Sequence, residues 1–222
     1  GTVGYAYDTR DRITTEGSQA YAWDANGNLT SKDAEATYTW DHENRLIRVA
    51  KLDGTVVEHV YDADGNRVQT KTTPPGGPTA TTNFLVDTSG GLSHVVAETD
   101  ATNSLKVLYV RGLDDLLSVM RPDGGGGWTT RFYHADGIGS VRRLTDETGA
   151  TTDAYALSAF GEPLSHTGTD PQPYLFAGEP YDPNIGFAYH RARWMDPRTG
   201  RFVGMDPFEG LEHDPPSLHK YL

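Results

Sequence analysis

Tyr38-Thr39-Trp40-Asp41-His42-Glu43-Asn44-Arg45-Leu46 and Val60-Tyr61-Asp62-Ala63-Asp64-Gly65-Asn66-Arg67-Val68 carry the reading of this chain. In both, an aromatic residue precedes an aspartate, a short polar turn follows, and an Arg/Leu/Val step leads away. The phrase also stands at Tyr5-Ala6-Tyr7-Asp8-Thr9-Arg10-Asp11-Arg12-Ile13 and at Tyr21-Ala22-Trp23-Asp24-Ala25-Asn26-Gly27-Asn28-Leu29. Its aspartates at 8, 24, 41 and 62 follow one another at intervals of 16, 17 and 21 residues. Such self-similarity belongs to a stacked repeat rather than to a single compact enzyme domain. Each unit reads as a hairpin. Alternation in Thr37-Tyr38-Thr39-Trp40 puts two aromatics on one face, Asp41 to Asn44 turn the chain by capping backbone N–H groups, and Arg45 to Val49 run back. Asp62-Ala-Asp-Gly-Asn66 is the strongest turn signal of the set. Leu52-Asp53-Gly54-Thr55 predicts a further hairpin between the runs Leu46 to Leu52 and Val56 to Tyr61.

Composition agrees with an all-β chain. The 12 Tyr suit a pleated surface, and 25 Gly with 13 Pro supply frequent turns. With 222 residues, 36% of them hydrophobic, the chain can bury a sizeable core, so disorder is excluded for most of it. A formal net charge of −12 without a basic stripe repels phosphate backbones and argues against nucleic acid as a partner. Cysteine is absent, which excludes a disulfide framework and a thiolate metal site but does not identify a compartment. No apolar stretch approaches the roughly 20 residues of a membrane-spanning helix. The first residues enter a repeat almost at once and carry no signal peptide, which predicts a piece of a longer polypeptide, cut at both ends.

Further along, Thr72 to Thr82 interrupts the pattern, because Pro cannot donate to a ladder and Gly-Gly has no side chain to pack; it predicts a loop or short linker. Strand-like stretches resume at Thr82 to Val86, His94 to Glu98, Leu105 to Val110 and Leu116 to Met120. Asp114 to Val119 has room for one helical turn, and Gly124 to Gly127 reads as a loop tip.

Most candidate sites have a plain structural reading. Turn capping accounts for the repeat aspartates. Asp62-x-Asp64 resembles the start of a calcium loop, yet Gly65 comes one residue early and no Glu closes it, so no metal is expected. Tyr5, Tyr7, Tyr21, Trp23, Tyr38, Trp40 and Tyr61 read as a ladder across adjacent hairpins, with a glycan- or base-stacking platform as the alternative. Gly137-Ile138-Gly139 lacks the strand-to-helix setting of a phosphate cradle. His213 and His219 have no third ligand for zinc, and no cofactor is expected.

From Thr130 onward the sequence is more distinctive. Arg131-Phe-Tyr-His-Ala-Asp-Gly-Ile-Gly-Ser-Val141 through Gly149, Ala159-Phe-Gly-Glu-Pro163, Phe176-Ala-Gly178-Glu-Pro-Tyr-Asp182, and Tyr189-His-Arg-Ala-Arg193-Trp-Met-Asp196-Pro197-Arg-Thr-Gly200-Arg-Phe202-Val-Gly-Met-Asp206-Pro207 resemble the RHS repeat-associated core domain. The preceding repeats resemble the YD repeats of the same family, and together the match covers essentially the whole chain. The organisation this implies is YD repeats over 1–72, a Pro/Gly-rich loop over 73–82, degenerate hairpin repeats over 83–129, and the core domain over 130–222, truncated before its last strand.

The resemblance implies a strip of stacked hairpins that spirals into a hollow shell ending in the core plug, as in polymorphic toxins, insecticidal toxin complexes and teneurins. In bacterial members the core acts as an aspartyl autoprotease that severs a C-terminal toxin held inside, and the protein is secreted or delivered by a bacterial secretion system. Partners implied are that toxin domain of the same polypeptide and the remaining RHS repeats. By the same resemblance Arg193 matches the family arginine and Asp206 the first of two catalytic aspartates. Two nearby carboxylates cannot both ionise cheaply, so one serves as base and the other as acid. The second aspartate belongs to a downstream Asp-Pro-x-Gly-Leu motif that is not reached by Leu222, and Asp214-Pro215 is not its substitute; the chain by itself is therefore expected not to cleave. A salt bridge pinning the plug is the structural reading of the same pair. Two other roles are carried forward: a carbohydrate- or protein-binding module, and an open sheet edge that recruits a missing-strand partner.

Overall fold

Each strand of the main sheet pairs antiparallel with its neighbours in the chain, so a 16-stranded meander runs through most of the molecule. The computed structural model describes residues 3–112, 115–211, 213–214 and 218–222. The first half of the meander holds β1 (Tyr5–Tyr7), β2 (Ile13–Glu16), β3 (Gln19–Trp23), β4 (Leu29–Lys32), β5 (Ala36–Trp40), β6 (Leu46–Lys51), β7 (Val56–Tyr61) and β8 (Arg67–Thr73). The second holds β9 (Ala80–Asp87), β10 (His94–Thr99), β11 (Leu105–Gly112), β12 (Asp115–Pro122), β13 (Trp128–Ala135), β14 (Val141–Thr145), β15 (Thr151–Leu157) and β16 (Pro163–Thr167). A second, four-stranded sheet follows: β17 (Tyr181–Asp182), β18 (Phe187–His190), β19 (Arg193–Asp196) and β20 (Arg201–Phe202). The all-β architecture read from the repeats is the one observed.

One turn recurs along the strip. At Asp8, Asp41, Asp62, Asp100, Asp123, Asp136 and Asp146, the carboxylate Oδ1 accepts the backbone N–H groups two and four residues on. The aspartate's own N–H donates to the carbonyl four residues on, for instance Asp41 N to Arg45 O at 3.0 Å. The residue three positions after each aspartate has positive φ, as at Asp11, Asn44, Gly65, Asn103, Gly139 and Gly149. The ladder slips by one residue beside these turns, as between Thr39 and Trp40 or Val60 and Tyr61, the bulge that matches a tight turn to the twist of its strands. Asp24 follows the same plan with Asn28, and Ser158 uses its hydroxyl in the aspartate's place. The phrase read at four positions is therefore the visible part of a turn that continues to Glu162.

The aromatic before the aspartate has its own task. Trp23 Nε1 donates to Ile13 O at 2.7 Å, Trp40 Nε1 to Leu29 O at 2.7 Å, and Tyr61 Oη to Leu46 O at 2.9 Å, so each ring ties its hairpin to the one before. Arg12 and Arg45 do the same between turns. Their Nε atoms bind Asp8 and Asp41 at 2.7 Å, and their Nη1 atoms reach the carbonyls of Asp24 and Asp62. Burial alone would raise the Asp41 carboxyl, and the hydrogen bonds from Arg45 outweigh it, holding the group below the usual carboxylate range.

Two stretches differ from their expected form. Asp114 lies outside the described residues, and the rest of Asp114 to Val119 lies in β12 rather than in a helical turn, because both its edges are occupied, by β11 and β13. Pro74 to Gly77 form a hairpin loop between paired strands, with Thr72 opposite Ala80, and not a linker.

Alternation leaves one face of the strip apolar. Leu29, Tyr38, Leu46, Val49 and Val57 on that face pack against Phe187, Tyr189 and Trp194 of the second sheet and against Ile185 and Val203 beside its strands. A separate cluster joins Val107, Tyr109, Val119, Tyr133 and Leu144 to Tyr174 of the returning chain. Residues 168–222 thus act as a plug laid on the inner face of the strip. Of the aromatic ladder, Tyr38 is buried, Tyr21, Trp23, Trp40 and Tyr61 pack at the margin of the first cluster, and Tyr5 and Tyr7 are exposed. Strands β1 and β16 form the two edges of the sheet, which is open. Among the described residues no helix is long and apolar enough to cross a membrane.

Candidate functional site

The hairpin β18–β19 brings Arg193 to the surface of the plug, and the chain leaving β20 returns Asp206 to meet it. Arg193 Nη2 lies 2.9 Å from Asp206 Oδ2, and both side chains are largely covered. Phe202 lies flat against the guanidinium, 3.6 Å from ring centre to Cζ. Burial lowers the Arg193 pKa and the Asp206 charge opposes that shift. The pair also grips the tail. Asp206 N donates to Lys220 O at 2.9 Å, Arg193 Nη1 reaches the same carbonyl at 3.5 Å, and the Lys220 ammonium donates to Phe208 O. The two residues singled out in the sequence are thus brought together, on one carbonyl of the tail. Asp214 lies in a separate short bridge with Leu211; Pro215 is outside the described residues.

The next residue of the tail, Tyr221, is buried beneath the second repeat turn. Its hydroxyl donates to Gly27 O at 3.1 Å and its ring meets Trp23 edge-on at 5.2 Å. Phe202 N donates to Tyr221 O, so β20, the tail and the strip are knitted at one point.

A second charged cluster lies beneath the same sheet. Lys32 on β4 is fully buried, and its Nζ sits 2.9 Å from Asp196 Oδ2 and 3.4 Å from Glu35 Oε2. Arg198 completes the set, with Nη2 2.9 Å from Glu35 Oε1 and Nε 3.3 Å from Asp196 Oδ1. Burial would raise Glu35, but the hydrogen bond from Arg198 and the charge of Lys32 hold it low. Asp196 and Arg198 lie inside the distinctive sequence motif, whereas Lys32 carries no local signal: it is a lysine in an ordinary hairpin strand. Among the described residues no group of three His, Cys, Asp or Glu could hold a metal ion.

The sequence profile of the Teneurin YD-shell family matches residues 2–221. The chain is 33% identical over 218 residues to the tRNA3(Ser)-specific nuclease WapA of Bacillus spizizenii, covering 96% of this chain and 9% of that protein. It is 27% identical to the double-stranded DNA deaminase toxin A of Burkholderia cenocepacia, covering 89% of this chain and 16% of that one. The chain therefore spans only a small part of these relatives. Among solved structures, the crystal structure of TcdB2-TccC3-TEV superposes with a TM-score of 0.71 over 99% of this chain and 12% of its own, at 15% identity, a likeness of fold.

Proposed function

The chain belongs to the Teneurin YD-shell family, and from that membership we propose that it forms wall and plug of a shell enclosing a toxin domain carried C-terminally on the same polypeptide. The strip is the wall. Its open edges β1 and β16 pair with the remaining repeats, and the plug seals the inner face. In this reading the protein is secreted or delivered by a bacterial secretion system, and the toxin is freed by aspartyl autoproteolysis. Asp206 supplies one carboxylate of the acid–base pair, Arg193 positions it and biases the proton toward its partner, and a second aspartate outside this sequence completes the site. The observation that carries the reading is the Arg193–Asp206 pair at 2.9 Å, seated on the plug with the carbonyl of Lys220 between its arms.

The test is expression of the full-length protein followed by blotting for a cut C-terminal to residue 222. A cut in the natural protein that disappears in Asp206→Asn, with thermal unfolding of that variant unchanged, supports autoproteolysis. Uncut protein at neutral and mildly acidic pH removes it, and leaves the wall-and-plug role to be judged by whether the downstream domain resists protease.

A further inference from the structure

Asn26-Gly27 is the one asparaginyl-glycine step in the chain, and it lies in the repeat turn on which the tail rests. The sister turns at Asp8, Asp41 and Asp62 carry Arg10-Asp11, Glu43-Asn44 and Asp64-Gly65 at the same two places. Glycine meets the positive φ of this turn, +87°. It also leaves its own amide nitrogen unshielded by a side chain. The carboxamide carbon of Asn26 and the nitrogen of Gly27 are therefore the pair of atoms in this chain best suited to close a five-membered ring.

The fold opposes that closure. Asn26 is exposed, whereas Gly27 is buried. Gly27 N donates to Asp24 O at 3.2 Å, and Asn28 N and Nδ2 bind the Asp24 carboxylate at 2.8 and 3.0 Å, so the peptide on each side of the glycine is held. Above it lies the tail. Tyr221 Oη donates to Gly27 O at 3.1 Å, and a methyl group on Gly27 would stand 2.5 Å from that hydroxyl and 2.9 Å from Met205 Cβ. Gly27 N reaches Asn26 Cγ only if the peptide between them rotates, and the seated tail leaves the glycine no room to follow.

We propose that Asn26 is a self-modification site, closed while Tyr221 is seated and opened when the tail lifts. Gly27 N gives up its proton and attacks Asn26 Cγ. The new C–N bond closes a succinimide, the Cγ–Nδ2 bond breaks, and the side-chain nitrogen takes up a proton and leaves as ammonia. Water then opens the succinimide at either carbonyl, giving isoaspartate or aspartate at position 26. Both products place a second carboxylate two residues from Asp24, where like charges disfavour the turn. Isoaspartate also routes the main chain through Cβ, which lengthens the turn by one carbon and displaces the carbonyl that Tyr221 rests on. A tail that stays lifted long enough for this reaction does not reseat, so the latch works one way. The inference does not depend on whether the protein cleaves itself.

The test follows Asn26 by peptide mass spectrometry in the full-length protein at mildly alkaline pH, folded and in urea, with isoaspartate and aspartate told apart by fragmentation. Asn103, exposed in the β10–β11 turn and followed by Ser104, reports global opening in the same samples. Conversion of Asn26 should be at least about tenfold slower in the folded protein than in urea, and about tenfold or more faster in folded Tyr221→Ala than in wild type, because losing a buried ring raises the open population at least that much. Asn103 should keep its wild-type rate in that variant. Equal Asn26 rates in folded wild type and Tyr221→Ala, or in folded wild type and urea, overturn the gate; an Asn26 that keeps its amide in urea overturns the site. Should Asn103 accelerate together with Asn26, Tyr221→Ala has lost its fold and Tyr221→Phe decides. That variant keeps the ring on Trp23 and removes only the hydrogen bond to Gly27 O; faster conversion of Asn26 is expected, and a wild-type rate overturns the gate.

Discussion

His59 stacks on Trp194 at 4.8 Å and meets Thr70 Oγ1 through Nδ1 at 3.0 Å, while its Nε2 is buried without a partner. Burial, and secondarily the Arg67 charge, push its pKa well below the ordinary 6.5. The folded protein therefore binds fewer protons at this site than the unfolded chain. Stability from His59 is complete above about pH 6.5 and declines as the pH falls below it, by up to about 1.4 kcal/mol per unit until the depressed folded pKa is reached. Urea midpoints measured between pH 7.5 and 4.5 should fall, and should fall less steeply in His59→Gln; an unchanged slope in that variant removes His59 as the cause. His190, also lowered by burial, adds to the same trend. Alternation in Val56 to Tyr61 places His59 on the same face as the buried Val57, but the depth of its burial is not local, since Trp194, on which it stacks, comes from the second sheet.

Hairpins are the level at which the chain is most legible. Asp, Gly and Asn at fixed places close a turn through bonds no more than four residues long, so the phrase at 8, 24, 41 and 62 reads directly as structure. The later turns at Asp100, Asp123, Asp136 and Asp146 keep the bonding but lose the aromatic in front, so Asp100 to Asn103 reads as a plain polar turn and Gly124 to Gly127 as a loop tip, and their membership of the repeat is what the sequence conceals. What surrounds a turn is not local. Gly65 and Gly27 both have φ near +85°, yet a methyl on Gly65 meets open space, while one on Gly27 would stand 2.5 Å from Tyr221 Oη and 2.9 Å from Met205 Cβ. Gly65→Ala should cost about 1 kcal/mol, the strain of a left-handed non-glycine. Gly27→Ala should cost clearly more and lift the tail, read as faster amide exchange at Tyr221; equal costs for the two would show that the tail does not rest on this turn.

At the scale of the whole molecule, wall and plug are joined by the buried Lys32–Asp196 pair, 164 residues apart in the chain. Lys32→Met should destabilise by about 3–5 kcal/mol, because Asp196 remains buried with only Arg198 beside it. Lys32→Met combined with Asp196→Leu should recover much of that loss, since Glu35 and Arg198 still pair with each other; thermal unfolding of the double variant no better than the single would refute the link. Deciding the strip was possible from the sequence, because strand alternation, turn bonding and hairpin pairing are all satisfied between near neighbours. Arg193 and Asp206 were readable only as members of a motif, and the carbonyl they share came with the return of the tail. Lys32, His59 and Arg67 look, in sequence, like ordinary members of hairpin strands. Laying the plug on the strip makes them buried charges and rings with distant partners, because desolvation depends on what covers a residue and not on what precedes or follows it.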